Sequence, residues 1–83
     1  LSQLARSPKQ LGSTIRRARK ARGWSQADLA EQVGIRQAGI SLIETGNPAT
    51  RLATILAVLT ALDLELQVAP RTRKSLGEIE AEL

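Results

Sequence analysis

Residues 26–45 read QADLAEQVGIRQAGISLIET, and their spacing carries the architecture. The apolar positions are Leu29, Val33, Ile35, Ile40 and Ile43. Leu29 and Val33 precede Gly34, and Ile35, Ile40 and Ile43 follow it. Ala30 stands where two helices joined by so short a turn must cross. A small residue there lets the second helix approach the first at a steep angle. Gly34 supplies the positive φ that ends the first helix. The apolar set buries one side of each helix and leaves the other side of the second free. Together these positions predict a helix-turn-helix, whose second helix enters the major groove of DNA. A chance amphipathic hairpin matches some of these positions but rarely the whole spacing.

Upstream, Ser7-Pro8 reads as the N-cap and first residue of a helix. Leu11, Ile15 and Ala18 follow as a narrow buried stripe, and Gly23 ends the helix near residue 22. Ser25 caps the next helix, with Asp28 as its acidic capping partner, and that helix runs to about Val33. The helix after the turn covers about residues 37–44. Thr45-Gly46-Asn47-Pro48 is a loop by composition. Thr50 is the predicted N-cap of a fourth helix, about residues 51–62.

That fourth helix carries Leu52, Ile55, Leu56, Val58, Leu59 and Leu62 nearly all the way round. A surface helix of a small monomer shows a polar half, so this one is expected to be buried on two sides, one of them by another chain. Leu64-Glu65-Leu66-Gln67-Val68 then alternates with period two, a strand signal. No second strand is apparent to pair with it. The economical solution is the same strand of a second subunit across a two-fold axis. The plain alternative is an extended segment lying on the core. Val58, Leu62, Leu64, Leu66 and Val68 are the expected dimer interface.

The expected architecture is all-α: a four- to five-helix repressor-like domain with one short C-terminal strand pairing across a homodimer. Its parts are an N-terminal arm (residues 1–7), a DNA-binding and dimerisation domain (8–69) and a flexible tail (70–83).

The composition narrows the chemistry. Eighty-three residues make one small domain with a thin core, which oligomerisation often supports. Trp24 is the sole aromatic residue, so the core is aliphatic. With no Cys, His or Tyr, the chain lacks disulfides, thiolate metal sites and most acid–base and nucleophilic players. No enzyme, cofactor or metal site is expected. No run of about 18 apolar residues and no signal peptide is visible, and a cytoplasmic bacterial protein is the plain reading.

Charge is uneven along the chain. Residues 1–24 carry only positive charges, at Arg6, Lys9, Arg16, Arg17, Arg19, Lys20 and Arg22. In residues 25–69, Asp28, Glu31, Glu44, Asp63 and Glu65 outnumber Arg36 and Arg51. A basic first helix favours a phosphate backbone or an anionic membrane surface, and alone it is equally well a solvated face. Beside a helix-turn-helix, phosphate is the better reading.

On DNA, the outward residues of the third helix face base edges: Arg36, Gln37, Ala38, Ser41 and Leu42. Arg pairs with guanine, Gln with adenine, and Ala or Leu touches the thymine methyl. Arg36 serves bases or phosphates equally well, and Leu42 has packing as its alternative. Helix N-termini and flanking polar groups supply phosphate contacts, here Ser25, Gln26, Thr45, Asn47, Thr50 and Arg51. Gly39, inside the third helix, costs about 1 kcal/mol against Ala. It marks either a close backbone approach or tolerated drift. Arg19 and Glu44 are the expected ion pair tying the first helix to the third, with a solvated Glu44 as the alternative.

These residues resemble a known family. The stretch from Ser25 to Glu44 is similar to the Cro/repressor (XRE) helix-turn-helix domain of phage and bacterial regulators. The resemblance extends to HipB-type antitoxins through Ser7-Pro8, Gln10-Leu11, the basic helix, Gly23-Trp24, Gln26, Leu29-Ala30, Gly34-Ile35, Gln37-Ala38, Ile40-Ser41 and Leu64-Glu65-Leu66. It covers roughly residues 7–69.

The resemblance implies a homodimer with a shared two-stranded sheet and binding to a palindromic operator ahead of its own operon. It also implies a complex with a HipA-type serine/threonine kinase toxin, which the antitoxin neutralises. It assigns the positions of Arg36, Gln37, Ala38 and Ser41 to the major groove, and Arg19–Glu44 to a buried pair. Two departures stand out. Gly39 occupies a place where Ser or Thr is commoner, and the tail lacks the terminal Trp with which some members dock on the toxin. A stand-alone regulator without a toxin would use the same DNA surface.

Overall fold

The computed structural model describes residues 4–71. Within them lie four helices: α1 (Pro8–Ala21), α2 (Gln26–Val33), α3 (Gln37–Thr45) and α4 (Leu52–Ala61). α1 and α2 are capped by local signals written in the sequence. The Ser7 hydroxyl accepts the Gln10 N–H at 3.1 Å, with Pro8 in the first turn of α1. Ser25 and Asp28 form a reciprocal capping box on α2: the Asp28 N–H donates to Ser25 Oγ at 3.0 Å, and the Ser25 N–H to Asp28 Oδ2 at 2.8 Å. Gly34, at φ 83°, closes α2 with its N–H on Ala30 O at 2.8 Å.

The start of α4 differs from expectation. Its N-cap is Arg51, with no side-chain cap bond. The Thr50 hydroxyl instead donates back to Asn47 O at 3.2 Å, and Asn47 Oδ1 accepts the Ala49 N–H at 2.8 Å. The side chains before α4 close the Asn47 turn, and the residue that reaches the N-cap position is Arg51, whose side chain has no acceptor for a helix N–H. At its far end α4 is closed by Asp63 in the left-handed region (φ 57°), with the Leu64 N–H on Leu59 O at 2.8 Å.

α3 packs against both α1 and α2, and α4 against α2. Ile15, Leu29, Ile40 and Val58 are fully buried where the four helices meet, with Ala30, Ile43, Leu59 and Leu62 around them. Each fully buried aliphatic side chain of this kind contributes roughly 1.5–3 kcal/mol. Two glycines set how closely α1 and α3 approach. A Cβ on Gly12 would collide with Ile43 O and lie 2.7 Å from Glu44 O. A Cβ on Gly46, at φ 89°, would lie 2.7 Å from Lys9 Cα.

One expectation about the dimer face needs correction. Val58 and Leu62 lie in the core of the single chain, 0% and 4% exposed, so neither is available to a partner. Helical periodicity could not orient a helix apolar on nearly every side. The side of α4 turned to solvent carries Leu52 and Leu56 instead, 62% and 42% exposed. Residues 64–68 form no strand among the described residues. A strand is defined by its ladder partner, and a single chain supplies none. Leu64, Leu66 and Val68 are exposed. The tail beyond Arg71, and residues 1–3 of the arm, lie outside the described residues.

Candidate nucleic-acid interface

α3 is held by one face and open on the other. Ile40, Ile43 and Glu44 are buried. Gln37, Ala38, Leu42 and Thr45 are exposed, with Ser41 half-buried among them. Positions 37, 38, 41, 42 and 45 share one helical face. Arg36, just before the helix, is exposed and makes no capping bond. The five residues expected to meet base edges therefore lie on one continuous surface. Leu42 is 50% exposed, so it is not a core residue. Gly39 is half-buried, and a Cβ there would meet Ile35 Cδ1 at 3.3 Å. Its closest approach is thus to the turn inside the domain.

The buried face is fixed by charge as well as by packing. Arg19 Nε donates to Glu44 Oε2 at 2.7 Å, and Nη2 to Glu44 Oε1 at 3.0 Å, a bidentate pair. Arg19 Nη1 donates to Trp24 O at 2.8 Å. The hydrogen bond to Glu44 holds the guanidinium pKa above its ordinary value, burial opposes it, and the carboxylate charge adds to the rise. The pair anchors the C-terminal half of α3 to α1, on the side away from the exposed face.

The six residues expected to meet phosphate fare unequally. The Ser25 hydroxyl is used as an acceptor, which leaves its own O–H as a donor. It stands at the α2 N-terminus, whose first-turn N–H groups lack helical partners. The Asp28 carboxyl nearby is held below its ordinary pKa, first by the Ser25 backbone N–H and then by the Ser25 hydroxyl. A phosphate at this helix end must avoid that charge. Gln26 turns inward, its Nε2 on Glu44 Oε1 at 3.2 Å. The Thr45 hydroxyl donates to Ser41 O and Leu42 O, at 3.0 and 3.1 Å, and the Thr50 hydroxyl is committed to Asn47 O. Arg51 is exposed, and the half-buried Asn47 uses only its Oδ1 in the turn.

Sequence reasoning missed three features. Gln26 belongs to the Arg19–Glu44 network. Gly12 lets α1 touch the backbone of α3, and its one visible signal is a glycine within a helix. Arg22 lies over the Trp24 ring, 5.0 Å from its centroid, a cation–π contact where α1 turns into α2. Along α1, Lys9, Arg16, Arg17 and Lys20 are exposed.

The helix-turn-helix family HTH_3 matches residues 15–68, a span that includes every residue of the exposed α3 face. The antitoxin HipB of Escherichia coli (strain K12) is 38% identical over 60 residues, which span 72% of this chain and 68% of HipB. The chain belongs to the HipB-type helix-turn-helix family. Two solved HipB structures share its fold across the whole of their chains. A HipB–O4 20mer complex matches with a TM-score of 0.79 at 34% identity, covering 86% of this chain and 100% of that one. A HipA–HipB–O2–O3 complex matches with a TM-score of 0.78 at the same identity and coverage. Among the described residues, no helix is long and apolar enough to cross a membrane.

Proposed function

We propose that this chain is a DNA-binding antitoxin that represses its own operon and neutralises a HipA-type serine/threonine kinase. The observation that carries the reading is the face of α3. Arg36, Gln37, Ala38, Ser41 and Leu42 form one outward surface on a helix clamped from behind by Arg19 and Glu44. Such a surface offers a guanidinium and a carboxamide for purine edges, with methyl and isobutyl groups for thymine. HipB relatives solved with an O4 20mer and with HipA support both partners. Ser25, the α2 N-terminus, Asn47 and Arg51 hold the flanking phosphates, and the cationic face of α1 adds long-range attraction.

The working unit is a homodimer on a palindromic operator. Its interface includes Leu64, Leu66 and Val68, which pair as a strand with the same segment of the second subunit, and the outward Leu52 and Leu56 of α4. Their exposure in the single chain supports this. A two-fold dimer reads two half-sites on one face of the duplex.

The test is recovery of the protein from its native lysate, with mass spectrometry of bound protein and sequencing of bound DNA. A kinase recovered together with DNA from the protein's own promoter is the expected result. Specific DNA without a kinase refutes the antitoxin role and leaves a stand-alone regulator.

A further inference from the structure

Glu44 gathers more than its arginine. Oε1 accepts from Arg19 Nη2 at 3.0 Å and from Gln26 Nε2 at 3.2 Å, while Oε2 accepts from Arg19 Nε at 2.7 Å. Arg19 Nη1 reaches Trp24 O at 2.8 Å. One carboxylate in the last turn of α3 therefore binds α1 through Arg19 and the first residue of α2 through Gln26. Two tethers fix the N-terminal end of α2 against α3: Arg19 holds the carbonyl of Trp24, and Glu44 holds the side chain of Gln26. No buried side-chain nitrogen or oxygen of the described residues is left without a partner.

Gln26 sits where a phosphate donor would be expected, yet one of its amide N–H groups points into the domain. That bond spans 18 positions of sequence. α2 has only eight residues, and a helix so short has little stiffness of orientation of its own. Phosphate contacts set register but carry no sequence information, whereas base contacts need hydrogen-bond geometry. A protein that grips phosphate with α2 and reads bases with α3 needs the two held as one body.

We propose that Gln26 is a positioning residue for base reading: its bond to Glu44 locks the phosphate-facing end of α2 to α3, so that a phosphate held by the first sets the register of the second. This rests on the reading of α3 as the helix that enters the groove. Gln26 as a phosphate donor is the competing assignment. Losing a phosphate donor weakens binding to every duplex alike. Losing a positioning bond weakens the preferred duplex and leaves the others nearly untouched.

Two measurements test the proposal. In the free protein, NMR of the Gln26 carboxamide should show one Nε2 proton protected from solvent exchange. Two protons exchanging as in free glutamine would overturn the proposal whatever DNA does. The second measurement uses Gln26→Met, which keeps the length of the side chain and removes its donor. The probes are a 20-base-pair duplex selected from a random library by the unaltered chain, and a scrambled duplex of the same composition. Affinity for the selected duplex should fall roughly tenfold, and for the scrambled one less than about twofold. Equal loss on both would make Gln26 a phosphate donor and overturn the proposal, as would no loss on either. If the unaltered chain does not distinguish the duplexes, the DNA-reading assignment of α3 fails and the proposal falls with it. The amide measurement would still report separately whether the Gln26–Glu44 bond exists.

Discussion

Replacing Glu44 with alanine strands the guanidinium of Arg19. In the native fold the two side chains are 8% and 3% exposed. The substitution removes two of the three Arg19 bonds, sparing the one to Trp24 O, and takes away the acceptor of Gln26. Leaving a buried charge unpaired costs about 3–5 kcal/mol. In a small domain no atom lies far from water, so the lower end applies, about 3 kcal/mol. The total stability of a domain this size is about 4–12 kcal/mol, so the loss is severe. Arg19→Met combined with Glu44→Leu removes both charges and keeps the volume but leaves Trp24 O and Gln26 Nε2 without these partners, so it should be about 1–2 kcal/mol less stable than the unaltered chain and more stable than Glu44→Ala. Urea unfolding followed by Trp24 fluorescence measures this at the site, because Trp24 is the sole tryptophan and its carbonyl is bonded to Arg19. Protein concentration must be held fixed if the native species is a dimer. With a slope of about 1–1.5 kcal/mol per molar urea, Glu44→Ala should lower the midpoint by about 2–3 M. A shift under about 0.5 M, or a double variant as unstable as the single one, would refute the reasoning.

Further consequences follow from single contacts. Gly12→Ala gains about 0.5–1 kcal/mol of helix propensity but drives a methyl group against backbone oxygens of α3. The backbone cannot yield, so a net loss of about 1–3 kcal/mol is expected in thermal melts. Asp28, with its folded-state pKa depressed by Ser25, adds stability above its unfolded value near pH ~4 and loses it as pH falls through the folded value. Asp28→Asn keeps a capping acceptor, so its stability should vary less with pH below pH ~4 than that of the unaltered chain, read from melts across the acid range. Leu66→Lys places a charge on an exposed residue of the proposed shared strand. Sedimentation should show more monomer, and an unchanged dimer would count against that strand.

The helices, and their ends apart from the start of α4, were legible because their signals are local. Ser7, Ser25, Gly34 and Gly46 act on neighbours a few residues away, and a single sequence displays such spacing directly. The exposed face of α3 was legible too, since Ile40 and Ile43 mark the inward direction and the remaining positions follow. The Arg19–Glu44 pair joins residues far apart in sequence, but both flank buried apolar positions, which gave them away. α4 was misread for the opposite reason. With apolar residues on nearly every side, nothing in the pattern tells Val58 and Leu62 from Leu52 and Leu56, and only packing against α2 decides. Gln26 was read as a phosphate ligand because its place at a helix N-terminus is local information. Its partner Glu44 is not. The donors of Thr45 and Thr50 were likewise assigned outward, and the structure spends both on nearby carbonyls.

The central claim is that the exposed face of α3 reads base sequence. Selection of duplexes from a random library by the unaltered chain and by Gln37→Ala, run side by side, tests it most directly. The unaltered chain should enrich two half-sites about one helical turn apart. Gln37→Ala should keep the same site but relax one base position in each half, at a cost of about 1–3 kcal/mol on the preferred sequence. No enriched sequence, or an identical preference at every position after the substitution, would contradict it.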